Sequence, residues 1–281
     1  MLVIKDIWAK GRHHPLFGPT SFEVEPGEVI IVQADSQLER TALSLTLTGR
    51  MKPSGGSISR TEGENGVRKE IRRNQLRKRS ELIDSPEVNE PENFMRVRDY
   101  VSEMLSYQLS PFARPHSQKW LQENGLEELD NLWIEQVSGE QNIRLMSALA
   151  RSYAKADLLV FDTPSRHLNH TSMWLPHLQE LAQDPERPRI VIAVVPHISS
   201  QWEGKRAVVG NAHEDFDEES THHSPVMWHE VVEGDVEQNQ LSATTTDSPR
   251  DGVATNATFA EHTLPVLADV EDYSAKTEGT K

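Results

Sequence analysis

Val137-Ser138-Gly139-Glu140-Gln141, followed by a helix-like run and then by Leu158-Leu159-Val160-Phe161-Asp162, decides the fold of this 281-residue chain. A serine before a helical run is a common N-cap, so Ser138 alone indicates only the start of a core helix. The apolar run that ends at Asp162 is typical of a central parallel strand covered on both faces. A second such run spans residues 189–195. Strands of this kind that alternate with helices indicate an α/β fold.

The N-terminal part of the chain predicts a β-rich opening. Residues 2–4, 21–24 and 29–32 are β-branched runs, and Pro26-Gly27-Glu28 forms a turn between the last two. This order indicates antiparallel strands that lead into a buried strand. Helices are predicted at residues 38–49, 97–109, 117–132 and 140–155, and those between about residues 97 and 151 would form a helical subdomain.

The opening stretch resembles the signature motif and the Walker B strand of the ATP-binding cassette (ABC) ATPases. Ser138, Gly139 and Gln141 match the family's L-S-G-G-Q, whereas Val137 and Glu140 depart from it. In that family the signature lies at a helix N-terminus, where the serine hydroxyl and backbone N–H groups meet the γ-phosphate of a nucleotide bound to the opposite subunit. The resemblance therefore implies that the three matching residues contact nucleotide.

The residues after the signature carry the resemblance further. Asp162 falls at the Walker B aspartate, which holds magnesium through water. Thr163 follows it where the family has the glutamate that acts as general base, and a threonine does not take a proton from water near neutral pH. Asn169 replaces the aspartate that takes part in communication between sites. His197 follows a predicted strand at the distance of the family's switch histidine, which contacts the γ-phosphate.

A phosphate loop of the form G-x-x-x-x-G-K-[ST] is expected after the strand at residues 29–32. The chain has Ala34-Asp35-Ser36-Gln37-Leu38-Glu39-Arg40-Thr41 at this point. Residues 26–28 and 47–58 flank it without gaps and resemble the family, which fixes the alignment. The residues at nucleotide-binding positions are then Ala34, Glu39, Arg40 in place of the lysine, and Thr41 as the magnesium-binding hydroxyl.

The missing glycines matter more than the change from lysine to arginine. Side chains with a Cβ resist the positive φ that an anion nest uses, and Glu39 would place a carboxylate close to the phosphates. The arginine guanidinium is also bulkier than a lysine ammonium. Without its flanks the segment is an ordinary strand-to-helix loop. With them it is interpreted as a decayed phosphate loop, and binding of ATP with magnesium is left open.

Charge separates the C-terminal part from the rest of the chain. Residues 201–281 contain 17 Asp and Glu against 5 Lys and Arg, so this part carries −12 of the overall −15. Such a composition does not bury enough apolar area to offset chain entropy. We expect a domain at residues 1–210 and an acidic, mostly disordered tail at residues 211–281.

Composition also bounds the location. The chain has no cysteine, which fits a reducing cytosol. Its N-terminus does not read as a secretory signal, and the longest apolar run, residues 190–196, is far short of the ~20 residues that span a bilayer. Membrane association is therefore expected only through a partner. The basic run at residues 68–79 could touch nucleic acid or anionic lipid, but it lacks interleaved aromatics, which favours a solvated face and no nucleic-acid partner.

The resemblance covers residues 1–210 and implies a P-loop NTPase-like nucleotide-binding domain. Such a domain has an antiparallel β subdomain, a RecA-like α/β core and a helical arm, and it works as a head-to-tail dimer. The implied cofactors are ATP and magnesium, bound at a composite dimer site. The implied partners are a transmembrane permease at the inner face of the cell membrane and a second nucleotide-binding subunit, identical or different.

Three functional hypotheses follow. In the first, the chain is a degenerate subunit of a membrane transporter whose signature completes the ATP site of an intact companion. In the second, it is a scaffold or regulator that hydrolyses nothing. In the third, it is a slow ATPase with a repositioned base. The transported substrate and the direction of transport are left open.

Overall fold

The chain folds into two sheets within the residues that the computed structural model describes, 1–62, 67–107 and 116–213. The strands are β1 (Leu2–Lys10), β2 (Pro15–Val24), β3 (Val29–Gln33), β4 (Gly55–Glu62), β5 (Val67–Glu70), β6 (Ser80–Ile83), β7 (Leu158–Asp162), β8 (Ile190–Val195) and β9 (Lys205–Val208). The helices are α1 (Gln37–Leu47), α2 (Arg73–Arg79), α3 (Val97–Ser106), α4 (Ser117–Glu123), α5 (Gly139–Ser152) and α6 (Thr171–Ala182). Most of the predicted tail, from residue 214 onward, lies outside the described residues.

The first sheet is antiparallel, with the strand order β2-β1-β4-β5. β1 pairs with a neighbour on each side, so that Ile4 lies opposite Phe22 on β2 and Ile58 on β4. Gly56 lies where β4 approaches β1 most closely. Its φ is +78°, and a Cβ there would lie 2.2 Å from the carbonyl oxygen of Asp6, so the crossing requires a glycine. The polar residues of β4 and β5 lack a clear alternation, which is why the sequence does not predict these strands.

The second sheet is parallel, with the strand order β6-β7-β8-β3-β9. β7 and β8 are buried along their whole length, as the continuous apolar runs predict. Successive side chains along each strand point to opposite faces of this sheet. Ile31 and Phe161 pack in one apolar core with α3, α5 and α6, whereas Ile30 and Val160 pack in another with α1 and the antiparallel sheet. The α/β prediction is confirmed.

The helical part differs in length from its prediction. The helix expected at residues 117–132 is wrong beyond Glu123, where α4 ends. Gly125 follows with φ +64°, a left-handed conformation that terminates a helix, and a short 3₁₀ turn at Glu127–Leu129 comes next. The sequence does not predict α2 or α6. Within the described parts of the chain, no helix combines the length and the apolar character that crossing a bilayer requires.

Candidate functional site

The carboxyl ends of parallel strands lie at one edge of a sheet, and loops at that edge form the ligand sites of open α/β folds. Here the edge brings together residues of two predicted motifs, the phosphate loop and the Walker B strand. The Thr41 hydroxyl, at the start of α1, donates to Asp162 at 2.9 Å, and Arg40 Nε donates to the Thr163 hydroxyl at 3.0 Å. The partners are 121 and 123 residues apart in sequence. The fold thus assembles the aligned phosphate-loop and Walker B positions.

The side chain of Arg40 folds back into the loop that precedes α1, and the residue is only 8% exposed. Its Nη1 donates to the carbonyl oxygens of Ala34 at 3.0 Å and Asp35 at 2.7 Å, and its Nη2 donates to Gln37 Oε1 at 2.9 Å. Two carbonyl oxygens therefore face the interior of the loop. A phosphate nest presents backbone N–H groups there, so the loop has the polarity of a cation site.

Ser36 and Glu39 close the start of α1 with a capping box. Ser36 Oγ accepts from the Glu39 N–H at 3.1 Å, and Glu39 Oε2 accepts from the Ser36 N–H at 3.0 Å. Two N–H groups that could meet an anion are therefore already satisfied. The Glu39 carboxylate, expected near the phosphates, is turned back onto the backbone.

Asp162 is 1% exposed and takes hydrogen bonds on both carboxylate oxygens. Oδ2 accepts from Ser85 Oγ at 2.6 Å and from Thr41 Oγ1 at 2.9 Å. Oδ1 accepts from Thr163 Oγ1 at 2.9 Å and, more weakly, from Gln37 Nε2 at 3.4 Å. The aspartate is thus held by protein donors, which is how a buried carboxylate avoids a large desolvation penalty.

Thr163 adopts a left-handed backbone conformation, with φ 55° and ψ 54°. For a β-branched residue this is a strained conformation that costs about 1–3 kcal/mol and persists only where neighbours hold it. Its N–H donates to the Val194 carbonyl at 2.8 Å, and its hydroxyl joins Asp162 to Arg40. The arginine in place of lysine and the threonine in place of glutamate are therefore one connected feature.

The residues of this loop do not fit ATP with magnesium. Burial lowers the pKa of Arg40 from its ordinary value, while the negative charges of Asp162, Glu39 and Asp35 oppose that shift. An arginine stays protonated under these conditions, so a cation already lies beside Asp162. Phosphate oxygens would meet the carbonyls of the loop, and Mg²⁺ would meet a carboxylate that already accepts from three hydroxyls and one amide.

The signature segment has a different environment at the start of α5. Ser138 is the exposed N-cap, its Oγ accepts from the Gln141 N–H at 3.3 Å, and Gln141 Oε1 accepts from the Ser138 N–H at 3.0 Å. Gly139 is the first helical residue, and a Cβ there would lie 2.1 Å from the carbonyl oxygen of His167. As in α1, the capping box satisfies two N–H groups, and those of Gly139 and Glu140 remain for an anion. The exposed Glu140 side chain opposes binding of an anion here.

An ion-pair cluster lies behind the signature segment. Asp84, which follows β6, contacts Arg166 and His167, which follow β7, at 2.5 Å each. Arg166 also pairs with Glu90 at 2.6 Å, and the His167 ring lies 3.0–3.1 Å from Asn142 Nδ2 on α5. Side chains from two strand ends and a helix are thereby fixed to one another. The cluster holds the carbonyl of His167 against Gly139 and so positions the N-terminus of α5.

The structure does not bring the predicted switch histidine into this network. His197 is exposed just after β8, and it has no hydrogen bond or ion pair with another described residue. Asn169 is likewise exposed. A role for His197 at the γ-phosphate stays a prediction.

Sequence reasoning missed several members of the two clusters. Gln37 and Ser85 bind Asp162, and Asp84 binds the pair after β7. Asp84 and Ser85 are polar residues that directly follow the apolar pair Leu82-Ile83, and this was the available signal. The partners of Gln37 carried no local signal, because they come from a distant strand.

This chain resembles known proteins in its structure but not in its sequence. The sequence matches no protein-family model and no curated protein. The structure matches an ABC transporter ATP-binding protein from Pyrococcus furiosus with a TM-score of 0.53 at 17% identity, over 74% of this chain and 96% of that one. The chain has the ATP-binding-cassette fold.

Two further solved structures have the same fold as this chain. The ATP-binding cassette MJ0796, solved as a dimer in a post-hydrolysis state with ADP and Pi, has a TM-score of 0.50 at 15% identity, over 70% of this chain and 88% of that one. An inward-facing transporter of metal-chelate type has a TM-score of 0.51 at 18% identity, over 70% and 73%. The predicted fold is confirmed, and at these identities the likeness speaks for the fold alone.

Proposed function

We propose that this cassette is an ATP-binding subunit of a membrane transporter and the unequal member of a pair. Its own loop at residues 34–41 binds no nucleotide, whereas Ser138, Gly139 and Gln141 complete the ATP site of a companion subunit. The companion supplies the intact phosphate loop, the general base and the magnesium site. A transmembrane permease holds the pair at the cytoplasmic face of the membrane.

One observation carries this proposal: the two loop-to-helix junctions that would face nucleotide differ in openness. The guanidinium of Arg40 fills the first and hydrogen-bonds its carbonyls. The N-cap serines of both junctions, Ser36 and Ser138, are exposed, but among the described residues no arginine hydrogen-bonds to the loop in front of α5, so its helix N-terminus is available to an anion. A site that is closed in this chain and a signature that is open suit a subunit whose signature serves another subunit's nucleotide.

A groove of about 940 Å³ supports docking of a permease. It is lined by α2, by α3, by the start of β6 and by the end of α5. Val88 and Tyr107 lie on its wall and are 46% and 71% exposed. Exposed apolar surface next to a groove is typical of protein contact sites. We assign the groove to the permease on these grounds.

The test is ATP turnover by a companion cassette, taken as one that copurifies with this chain or is encoded beside it and has an intact phosphate loop. We expect turnover only when both chains are present. Asp162→Asn in this chain should leave turnover within about two-fold, because its carboxylate meets hydroxyl donors rather than magnesium. The equivalent substitution in the companion should abolish turnover, since a catalytic metal site contributes several kcal/mol.

The opposite result identifies the third hypothesis. If the isolated chain hydrolyses ATP and Asp162→Asn eliminates that activity, the chain is a slow ATPase with a repositioned base. Circular dichroism of each variant is the control for folding.

A scaffold or regulatory role is the second candidate, and the same filled loop favours it, because Arg40 closes the only phosphate-loop position in the described residues. Titration with a fluorescent ATP analogue separates the two. We expect no saturable binding by the isolated chain up to about 1 mM. With the companion present, the transporter proposal predicts binding that needs this chain and that Ser138→Arg removes. If the companion binds the ATP analogue equally well with and without this chain, the result would favour the scaffold role.

A further inference from the structure

The strand–helix unit formed by β5 and α2 concentrates positive charge in an acidic protein. Seven of the twelve residues from 68 to 79 are basic, although the whole chain carries a net charge of −15. All seven are exposed, on β5, on the connection and on α2, and together they define the basic surface: Arg68, Lys69, Arg72, Arg73, Arg77, Lys78 and Arg79.

Most of these charges form no ion pair with the described residues. Arg68 pairs with Glu23 at 2.9 Å, and Arg79 pairs with Asp157. The other five cations make no ion pair with any described residue. A cluster of unpaired like charges is unfavourable unless an external anion compensates it. The basic surface therefore calls for an anionic partner.

Protection of a sheet edge explains only part of the surface. β5 is the edge strand of the antiparallel sheet, and cations on such a strand prevent pairing with other chains. This accounts for Arg68 and Lys69. It does not account for Arg73, Arg77 and Lys78, because they lie on a helix and guard no sheet edge.

A cavity of about 220 Å³ opens within the basic surface. Four cations, Arg60, Lys69, Lys78 and Arg79, and two carboxylates, Glu70 and Asp157, lie on its wall, so the lining carries a net charge of +2, and Ile71 and Leu76 contribute apolar side chains. The combination of cations with an apolar lining suits a phosphate that is attached to a less polar group. A phospholipid headgroup with its glycerol has this chemistry.

We propose that the basic surface binds anionic phospholipid headgroups, so that the cassette contacts the membrane directly and not only through a permease. No aromatic residue occurs between residues 67 and 79, and single-stranded nucleic acid needs aromatic stacking platforms. Lipid phosphates need only dispersed cations, each of which adds to the attraction. Val67, 64% exposed on β5, is compatible with the headgroup boundary. This proposal goes beyond the transporter role and does not depend on nucleotide binding.

The basic surface lies next to the groove assigned to the permease, which would place it near the membrane. Arg77 and Lys78 also line the groove that we assign to the permease. A cassette that docks through this groove would hold α2 beside the membrane protein, next to the lipid surface. The remainder of the protein is acidic and would be repelled, so the field would orient the basic surface toward the bilayer.

Flotation of the full-length chain with vesicles tests the proposal without a permease or nucleotide. We expect binding to phosphatidylcholine vesicles that contain about 30% phosphatidylglycerol at about 0.1 M salt, and loss of binding at about 0.5 M salt. Pure phosphatidylcholine should not bind. The triple variant Arg73→Glu, Arg77→Glu, Lys78→Glu should lower the partition coefficient about 100-fold or more, because each basic residue contributes about five-fold.

A matched variant controls for net charge. Lys5→Glu, Lys10→Glu, Lys52→Glu makes the same charge change at exposed residues outside the basic surface, and it should retain binding within about five-fold. The milder set Arg73→Gln, Arg77→Gln, Lys78→Gln should give an intermediate loss and serves if the glutamate variant does not fold.

Three outcomes overturn the proposal. One is the absence of flotation by the wild type with the anionic vesicles. Another is equal loss in the basic-surface variant and its matched control. The third is tighter binding of a fluorescent oligonucleotide than of vesicles at the same salt, abolished by the basic-surface variant, which would assign the surface to nucleic acid.

Discussion

Helices α1 and α5 begin in the same way and present different surfaces. Each has a serine N-cap with a complete capping box, Ser36 with Glu39 in α1 and Ser138 with Gln141 in α5. In front of α1 the guanidinium of Arg40 occupies the loop and turns two carbonyl oxygens inward. Both N-cap serines are exposed, and among the described residues no guanidinium hydrogen-bonds to the loop in front of α5.

The difference teaches that a local capping motif does not determine whether a helix end can bind an anion. Distant partners determine it. Arg40 is held in its loop by Thr163, and the carbonyl of His167 lies against Gly139 at the start of α5. We propose that the loop in front of α1 is closed and that the signature segment at the start of α5 is functional. Equivalent substitutions in the two helices should therefore have unequal effects.

The largest difference is expected for the two N-cap serines. Ser138→Arg should lower ATP turnover by the pair about 100-fold or more, because it removes a hydroxyl that faces the companion's γ-phosphate and fills the space. Ser36→Arg should leave turnover within about two-fold and cost about 1 kcal/mol of stability through the lost cap. Steady-state turnover of each reconstituted pair measures this. Equal losses would mean that both junctions serve nucleotide.

The next effect concerns stability and one arginine from each of these helices. Arg40→Met should lower the free energy of unfolding by about 3 kcal/mol. It leaves the carbonyls of Ala34 and Asp35 and the amide oxygen of Gln37 without their hydrogen-bond donor. Arg144→Met on α5 should cost about 0.5–1 kcal/mol, since this side chain is 39% exposed and pairs with Glu128 at 3.4 Å. Urea unfolding of both variants compares them. A small loss for Arg40→Met would show that the guanidinium does not close the loop.

A smaller effect is expected at the first residue of each helix. Gly139→Ala should lower turnover by the pair about 10-fold, because its Cβ would press on the His167 carbonyl and displace the start of α5. Gln37→Ala should leave turnover within about two-fold while weakening the contacts of Asp162. Turnover and melting temperature are measured together for each variant. Unchanged turnover in Gly139→Ala would argue against a signature that touches nucleotide.

The smallest effect is expected for the acidic residues of the first turns. Glu140→Gly should raise turnover about three-fold, because it removes a negative charge beside the helix N-terminus that meets the phosphate. Glu39→Gly should not change turnover, although it breaks the capping box of α1. Titration of ATP against initial rate shows whether the gain is in apparent affinity. A loss of turnover in Glu140→Gly would mean that the carboxylate has a positive role.

Sequence reasoning predicted the fold well because the fold depends on long apolar runs. Residues 158–161 and, of the predicted run 189–195, residues 190–195 are buried in central strands, and Ser138 caps a helix as predicted. β4 and β5 escaped prediction because their residues are polar and their pairing comes from β1. The helix expected beyond Glu123 failed because Gly125 takes a left-handed conformation.

The site was harder to predict than the fold. Alignment indicated that Arg40 replaces a lysine and that Thr163 replaces a glutamate. It did not indicate that these two side chains contact each other across 123 residues of sequence, or that Ser85 satisfies Asp162. Such contacts depend on which strand ends meet at the sheet edge, and local sequence patterns do not encode this.

Nucleotide stoichiometry of the pair tests the central claim most directly. Equilibrium dialysis of this chain with its companion, using a non-hydrolysable ATP analogue, counts the nucleotides bound per pair. With a loop closed by Arg40 and a functional signature at Ser138, we predict one nucleotide per pair, lost on Ser138→Arg in this chain. Two nucleotides per pair, or one that survives Ser138→Arg, would contradict the claim.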